Sequence, residues 1–160
     1  MIALNDVGGI AVIEIENLKF PLDRRYYKKS GNHIWLKEDG GKVKIGMDSF
    51  LTENAGYLSY LTIDNKEFRQ GEAIGSFESA KFVSKFYSPL DGEVLNINEE
   101  VVNDPIRINK DPYNAWIVEI KPTDIEKDLQ SDDILDGEES IRKWIEEELK
   151  RLDEYDKEQS

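Results

Sequence analysis

The sequence predicts a mainly β protein, a small sandwich or flattened barrel with one short internal helix and a C-terminal amphipathic helix. Three observations predict it. Strand-like runs recur along the first 120 residues, with Gly, Pro, Asn or Asp between them. Only one short segment of that stretch carries a helix start signal. From Gly137 onward, apolar residues step by three and four.

The runs follow in order. Gly9 to Ile15 (GIAVIEI) is β-branched and alternating. Asn32 to Lys37 and Val43 to Met47 flank the turn Glu38-Asp39-Gly40-Gly41 and read as a hairpin. Asp48 or Ser49 can cap a helix over 49–55. Gly56 to Ile63 precedes the turn Asp64-Asn65-Lys66, and Glu72 to Phe77, Phe82 to Tyr87, Gly92 to Ile97 and Ala115 to Ile120 complete the β set. The tail helix spans about 137–156. Ile141, Trp144, Ile145, Leu149, Leu152 and Tyr155 share one face, and Asp136 is its expected N-cap. Such a helix either docks on the β body or offers its face to a partner.

Composition narrows the chemistry. The chain has 160 residues, enough for one domain with a real core. Its net charge is −13, which repels phosphate backbones and argues against nucleic-acid binding. Residues 124–160 hold 15 acidic and 6 basic side chains, so the tail carries most of the imbalance. There is no cysteine and one histidine, His33. That removes thiolate nucleophiles and Cys-ligated metals, leaves no His-rich metal site, and allows a Ser-His-Asp triad only through His33. A carboxylate-ligated metal and carboxylate acid–base chemistry stay open, although no metal site is assigned. The N-terminus lacks a basic segment followed by a long apolar run, so neither a signal peptide nor a membrane span is expected there. A cytoplasmic protein without membrane contact is the default. Difficult chemistry in such a chain requires a borrowed reactive group.

Lys81 is the place for one. Gly71 lies ten residues before it and Gly92 eleven after it, with a strand-like run on each side. This puts Lys81 near the tip of a hairpin whose turn is Glu78-Ser79-Ala80-Lys81. A free lysine amine, with its pKa near ~10.4, is a poor unaided nucleophile but a good attachment point. Taken alone, a solvated surface lysine is the ordinary reading.

The surrounding motifs change that reading. Glu78-Ser79-Ala80-Lys81, then Ser88-Pro89-Leu90-Asp91-Gly92-Glu93-Val94, then Asn96-Ile97-Asn98, resemble E-S-x-K, S/A-P-x-x-G-E-V and a following asparagine of the glycine cleavage H proteins. His33-Ile34-Trp35 resembles that family's H-x-W, and Gly46-Met47 the start of its G-I/M-T segment. Pro105, Ile108-Asn109, Asp111-Pro112-Tyr113 and Trp116 resemble P-x-L-I-N-x-x-P-Y-x-x-x-W. The resemblance runs over about 26–122 in the family's order.

The resemblance implies a hybrid-barrel lipoyl domain over 26–122, with 1–25 as an added strand or hairpin and 123–160 as an acidic helical tail. It implies lipoate in amide linkage on Lys81, with Glu78, Ser79, Gly71 and Gly92 serving recognition by a lipoate ligase or lipoyl transferase. Ala80 and Phe82 stand where biotin carriers have methionines. It implies a carrier without catalysis of its own. The partners would be a glycine decarboxylase, an aminomethyltransferase and a dihydrolipoyl dehydrogenase.

The chain departs from the family at its arm cleft. The central glutamate of H-E-W, the histidine after G-I-T-D and the acidic residue four past the lysine are here Ile34, Phe50 and Lys85. An ammonium-bearing arm wants acceptors nearby, and these residues offer none. An H-like lipoate-binding branch, which accompanies a heterodisulfide-reductase-like sulfur oxidation complex, resembles this chain better. Its E-S-G-K-W-V matches Phe82-Val83 after Lys81, and its tails resemble Ile120-Lys121-Pro122 and the helix from Gly137. There the arm would carry sulfur. Three expectations stand: an H-like carrier of sulfur intermediates, a true glycine cleavage H protein, or an unmodified scaffold or lipoate-relay protein. The arm-cleft residues are His33, Ile34, Phe50, Phe82 and Lys85. His33 reads as a structural histidine beside Trp35, because a shuttle needs no base.

Overall fold

A computed structural model describes residues 2–159. The chain opens with a meander of β1 (Ala3–Val7), β2 (Ile10–Ile15) and β3 (Leu18–Pro21). The N-terminal extension, expected as one strand or a hairpin, is therefore three strands. Pro21 ends the third, where its missing N–H is tolerated at an edge.

A seven-stranded curled sheet follows, in the order β13-β4-β5-β6-β12-β11-β8. Its strands are β4 (Arg25–Tyr27), β5 (Ile34–Asp39), β6 (Lys42–Met47), β8 (Glu67–Phe68), β11 (Gly92–Ile97), β12 (Val118–Pro122) and β13 (Ile134–Leu135). A second sheet, ordered β10-β9-β7, holds β7 (Leu58–Ile63), β9 (Ala73–Ser79) and β10 (Val83–Tyr87). The helices are α1 (Ser49–Ala55), α2 (Glu99–Asn103), α3 (Ile106–Lys110), α4 (Ile125–Asp128) and α5 (Glu138–Gln159). α1 falls on the expected residues, and the Asp48 side chain accepts from the Leu51 N–H at its start. α2 and α3 fill a stretch where the sequence shows no helical period, since each is only one turn or so long.

Around β4, β5 and β6 the large sheet is buried on both faces, and strand alternation sorts neighbouring residues between them. Tyr27, Ile34, Leu36 and Ile45 face the core shared with β7, β9 and β10, alongside Ile74, Phe77 and Phe86. Their neighbours Tyr26 and Trp35 face the other way, onto Ile13, Phe20, Ile141, Trp144 and Ile145. The meander and α5 thus share one cluster, and α5 is docked rather than free. Gly137, at φ +88, precedes α5, so Asp136 lies a residue too early to cap it. At the far end of α5, Tyr155 is 58% exposed, beyond the reach of this cluster.

Gly46 shows how tightly the second face is packed. It pairs with Trp35 across β5–β6, and a Cβ there would sit 2.5 Å from the indole. Gly46→Ala is expected to destabilise the protein by about 2 kcal/mol through overpacking, read as a lower denaturant midpoint at unchanged slope.

Candidate functional site

β9 and β10 form the hairpin that carries Lys81. Val83 pairs with Glu78, and Glu78 pairs with Tyr60 of β7, so Glu78 lies in the ladder. The turn is shifted by one residue from expectation, to Ser79-Ala80-Lys81-Phe82, closed by the Ser79 N–H donating to the Phe82 carbonyl at 2.9 Å. The Ser79 hydroxyl fixes the shift, accepting from the N–H groups of Lys81 (3.4 Å) and Phe82 (3.3 Å). Lys81 is exposed and enters no ion pair among the described residues.

The turn is pinned from behind. Ala80 donates its N–H to the Tyr57 carbonyl at 3.1 Å. Its methyl sits so close to Gly56 that a Cβ on that glycine would lie 2.8 Å away. Gly56 ends α1 at φ +78, a conformation that itself favours glycine. Asn109 of α3 then holds this corner. Its Nδ2 donates to the carbonyls of Gly56 (2.9 Å) and Thr52 (3.3 Å), and its Oδ1 accepts from the Leu58 N–H (2.9 Å). Other motif residues are fasteners as well. Ser88 bridges to both backbone groups of Leu90, Trp35 Nε1 donates to the Pro112 carbonyl, and Tyr113 OH donates to the Lys19 carbonyl. Gly71, at φ +89, donates its N–H to the Ser88 carbonyl, and Gly92 opens β11.

Two adjoining hollows lie beside the hairpin. A groove of about 340 Å³ runs between α1 and α5, lined by His33, Phe50, Phe82, Glu148, Arg151, Leu152 and Tyr155 among others. A cleft of about 120 Å³ is lined by His33, Ile34, Met47, Phe77, Phe82, Lys85 and Tyr87, among others. His33 and Phe82 belong to both. The structure thus brings together His33, Ile34, Phe50, Phe82 and Lys85. A wider hollow of about 820 Å³ over Glu67, Arg69, Glu93 and Lys121 does not include the hairpin turn.

His33 forms the wall between α1 and α5. It is buried, with Nδ1 2.8 Å from Asp48 Oδ2 and Nε2 2.8 Å from Glu148 Oε1. Its ring stacks on Phe50 at 4.4 Å and on Trp144 at 4.6 Å. Its stacking partners are therefore these two rings rather than Trp35, which belongs to the same cluster as both. Burial opposes the charged ring, but Asp48 and Glu148 outweigh it and push the His33 pKa up to about 9. Burial likewise opposes the Glu148 carboxylate, yet His33 and then Arg151 hold it below the usual range. Glu148 is the site residue that sequence reasoning missed. Its signal was an acid inside the apolar stripe, four past Trp144 and three past Ile145.

An exposed lysine on a pinned turn, next to a mostly apolar groove, fits an amide-linked arm of apolar character. Among the described residues no helix is long and apolar enough to cross a membrane, and no group of three or more His, Asp or Glu could hold a metal ion.

The glycine cleavage H-protein family model matches residues 25–148. A probable glycine cleavage system H protein 3 of Sulfurisphaera tokodaii is 35% identical over 142 residues, covering 88% of this chain and 98% of that one. A probable glycine cleavage system H protein of Pyrococcus abyssi is 37% identical over 115 residues, covering 71% and 84%. The crystal structure of a glycine cleavage system H protein from Mycobacterium marinum superposes with a TM-score of 0.58 at 32% identity, covering 65% and 87%. The chain belongs to the glycine cleavage H-protein family, whose members are lipoyl carriers.

Proposed function

We propose that Lys81 bears lipoate in amide linkage and that the chain presents this arm to successive partners in the cytoplasm, without catalysis of its own. When bound, the dithiolane supplies the redox and group-carrying chemistry. The chain supplies position. Ser79 and Ala80 hold the turn, Gly56 and Asn109 brace it, and Phe82 leads from it into the groove. Glu78, exposed in the ladder beside the turn, together with Ser79, Gly71 and Gly92, is the recognition set for a lipoate ligase or lipoyl transferase. Residues 26–122 are the lipoyl unit in this reading, with 1–25 and 123–160 added to it.

The cargo is read as a sulfur-linked group passed to a heterodisulfide-reductase-like complex. One observation carries this. The groove lacks a vacant carboxylate, because Glu148 gives one oxygen to His33 and the other to Arg151. Asp48 behind it is likewise spent on His33 and on the Leu51 N–H. An aminomethyl arm carries an ammonium, and the one carboxylate lining the groove is already paired with two cations. The second reading, a true glycine cleavage H protein serving a glycine decarboxylase, an aminomethyltransferase and a dihydrolipoyl dehydrogenase, is favoured by the names of the relatives.

Reconstitution separates the two. The lipoylated chain, mixed with the other three glycine cleavage components, is expected to leave glycine-dependent carbon dioxide release at background. Release at the level of a glycine cleavage H protein run in parallel would overturn the sulfur reading and leave the carrier reading standing.

A further inference from the structure

We propose that Lys85 and Arg151 form a pair that reads a negative charge at the tip of the Lys81 arm, so that the carrier selects an oxyanion-terminated cargo such as a sulfonate. This rests on the carrier reading of Lys81.

The lining of the two hollows reverses the sign of the rest of the chain. The chain is strongly acidic, at −13, and α5 is its most acidic element. Yet the charged groups that line the two hollows are His33, Lys85 and Arg151 against Glu148 alone. Behind them Asp48 is buried and held by His33. The lining is therefore net cationic on a protein that is otherwise net anionic.

The two proposed readers are also available. Lys85 enters no ion pair among the described residues. Arg151 gives Nη2 to Glu148 at 3.1 Å, while its side chain is 71% exposed. A guanidinium has five N–H donors, so this contact leaves others open. Geometry connects them to the arm. Phe82 follows Lys81 in the chain and lines both hollows, with Lys85 in one and Arg151 in the other. A group laid along Phe82 therefore comes under one cation whichever hollow it enters. Arg151 belongs to α5, so a residue of the acidic tail becomes part of cargo selection.

The test uses the absence of cysteine. In the lipoylated, dithiol-reduced full chain, the arm carries the only thiols. Each arm thiolate displaces halide from iodoacetate, iodoacetamide or bromoethylamine, giving carboxymethyl, carbamidomethyl or aminoethyl thioethers of similar size. Intact mass verifies each cap. Amide hydrogen exchange over 82–85 and over α5 is then compared. Protection is expected to be greatest for the anionic cap and least for the cationic one, with a span of roughly tenfold between attraction to one exposed cation and repulsion from it. The K85Q/R151Q double variant is expected to bring the three caps together, with near-ultraviolet dichroism of the packed tryptophans showing that α5 stays docked.

Equal protection of the three caps in the native chain would overturn the proposal. So would an ordering that survives in the double variant, because other groups would then be reading the charge. A chain whose Lys81 remains bare after co-expression with a lipoate ligase would overturn the carrier reading, and this proposal with it.

Discussion

Replacing His33 with alanine is expected to cost about 3–5 kcal/mol of folding stability, the range for breaking a buried ion pair by removing one partner. The reason lies in what is left. Asp48 Oδ2 and Glu148 Oε1 each lie 2.8 Å from the His33 ring, so its removal leaves two buried carboxylates around an empty space. The stacked Phe50 and Trp144 lose their common neighbour as well. Denaturant unfolding checks the magnitude. Loss of protection confined first to α5 would show which end of the triad opens.

The same triad fixes a pH dependence. The folded His33 pKa is about 9, above the ordinary 6.5. Its contribution is therefore complete below about pH 6.5 and fades as pH rises through about 9, a loss of about 3 kcal/mol across that window. The chain has one histidine and no cysteine, so apart from the α-amino group His33 alone ordinarily titrates there. Glu148→Gln, which preserves shape and removes one carboxylate, is expected to flatten this alkaline slope. An unchanged slope would mean that Asp48 alone raises the His33 pKa, and a native chain with no alkaline loss would mean that His33 is neutral in the fold.

The second large effect is functional. Lys81→Arg is expected to abolish modification completely while leaving the fold intact. Arginine keeps the positive charge, but its guanidinium stays protonated to about pH 12 and beyond and does not take an acyl group. Intact mass after co-expression with a lipoate ligase should show one lipoyl group on the native chain and none on the variant. Because Lys81 is exposed on a turn, the unfolding free energy should move by less than about 0.5 kcal/mol. A lipoyl group persisting on the variant would place the attachment on another lysine.

These residues were legible to different degrees. The Lys81 hairpin could be read because a turn between two β-rich runs has local chemistry, and only the one-residue shift needed the Ser79 hydroxyl to be seen in place. The apolar positions of α5 followed from spacing alone, since Ile141, Trp144 and Ile145 repeat at helical intervals. Glu148 did not, because an acid on a helix reads as solvated until a buried cation 115 residues away is brought to it. Such a long-range pairing shows locally only as an acid standing inside the apolar stripe of α5. Ile34, Phe50 and Lys85 were marked by departure from a family pattern, but that His33 forms the wall between their two hollows emerges only in three dimensions. α2 and α3 are too short for a period to register, so the bracing role of Asn109 stayed hidden behind its motif.

Ala80 wedged on Gly56, with Asn109 beneath, makes the base of Lys81 a fixed pivot rather than a loose loop. A group tethered at a fixed pivot meets its own groove at a millimolar effective concentration, about what a short flexible tether gives. A groove with an intrinsic dissociation constant of only about 1 mM, about −4 kcal/mol, would then hold the group roughly half of the time. Shelter and release are balanced without tight binding, and a partner needs to offer little more to draw the arm out.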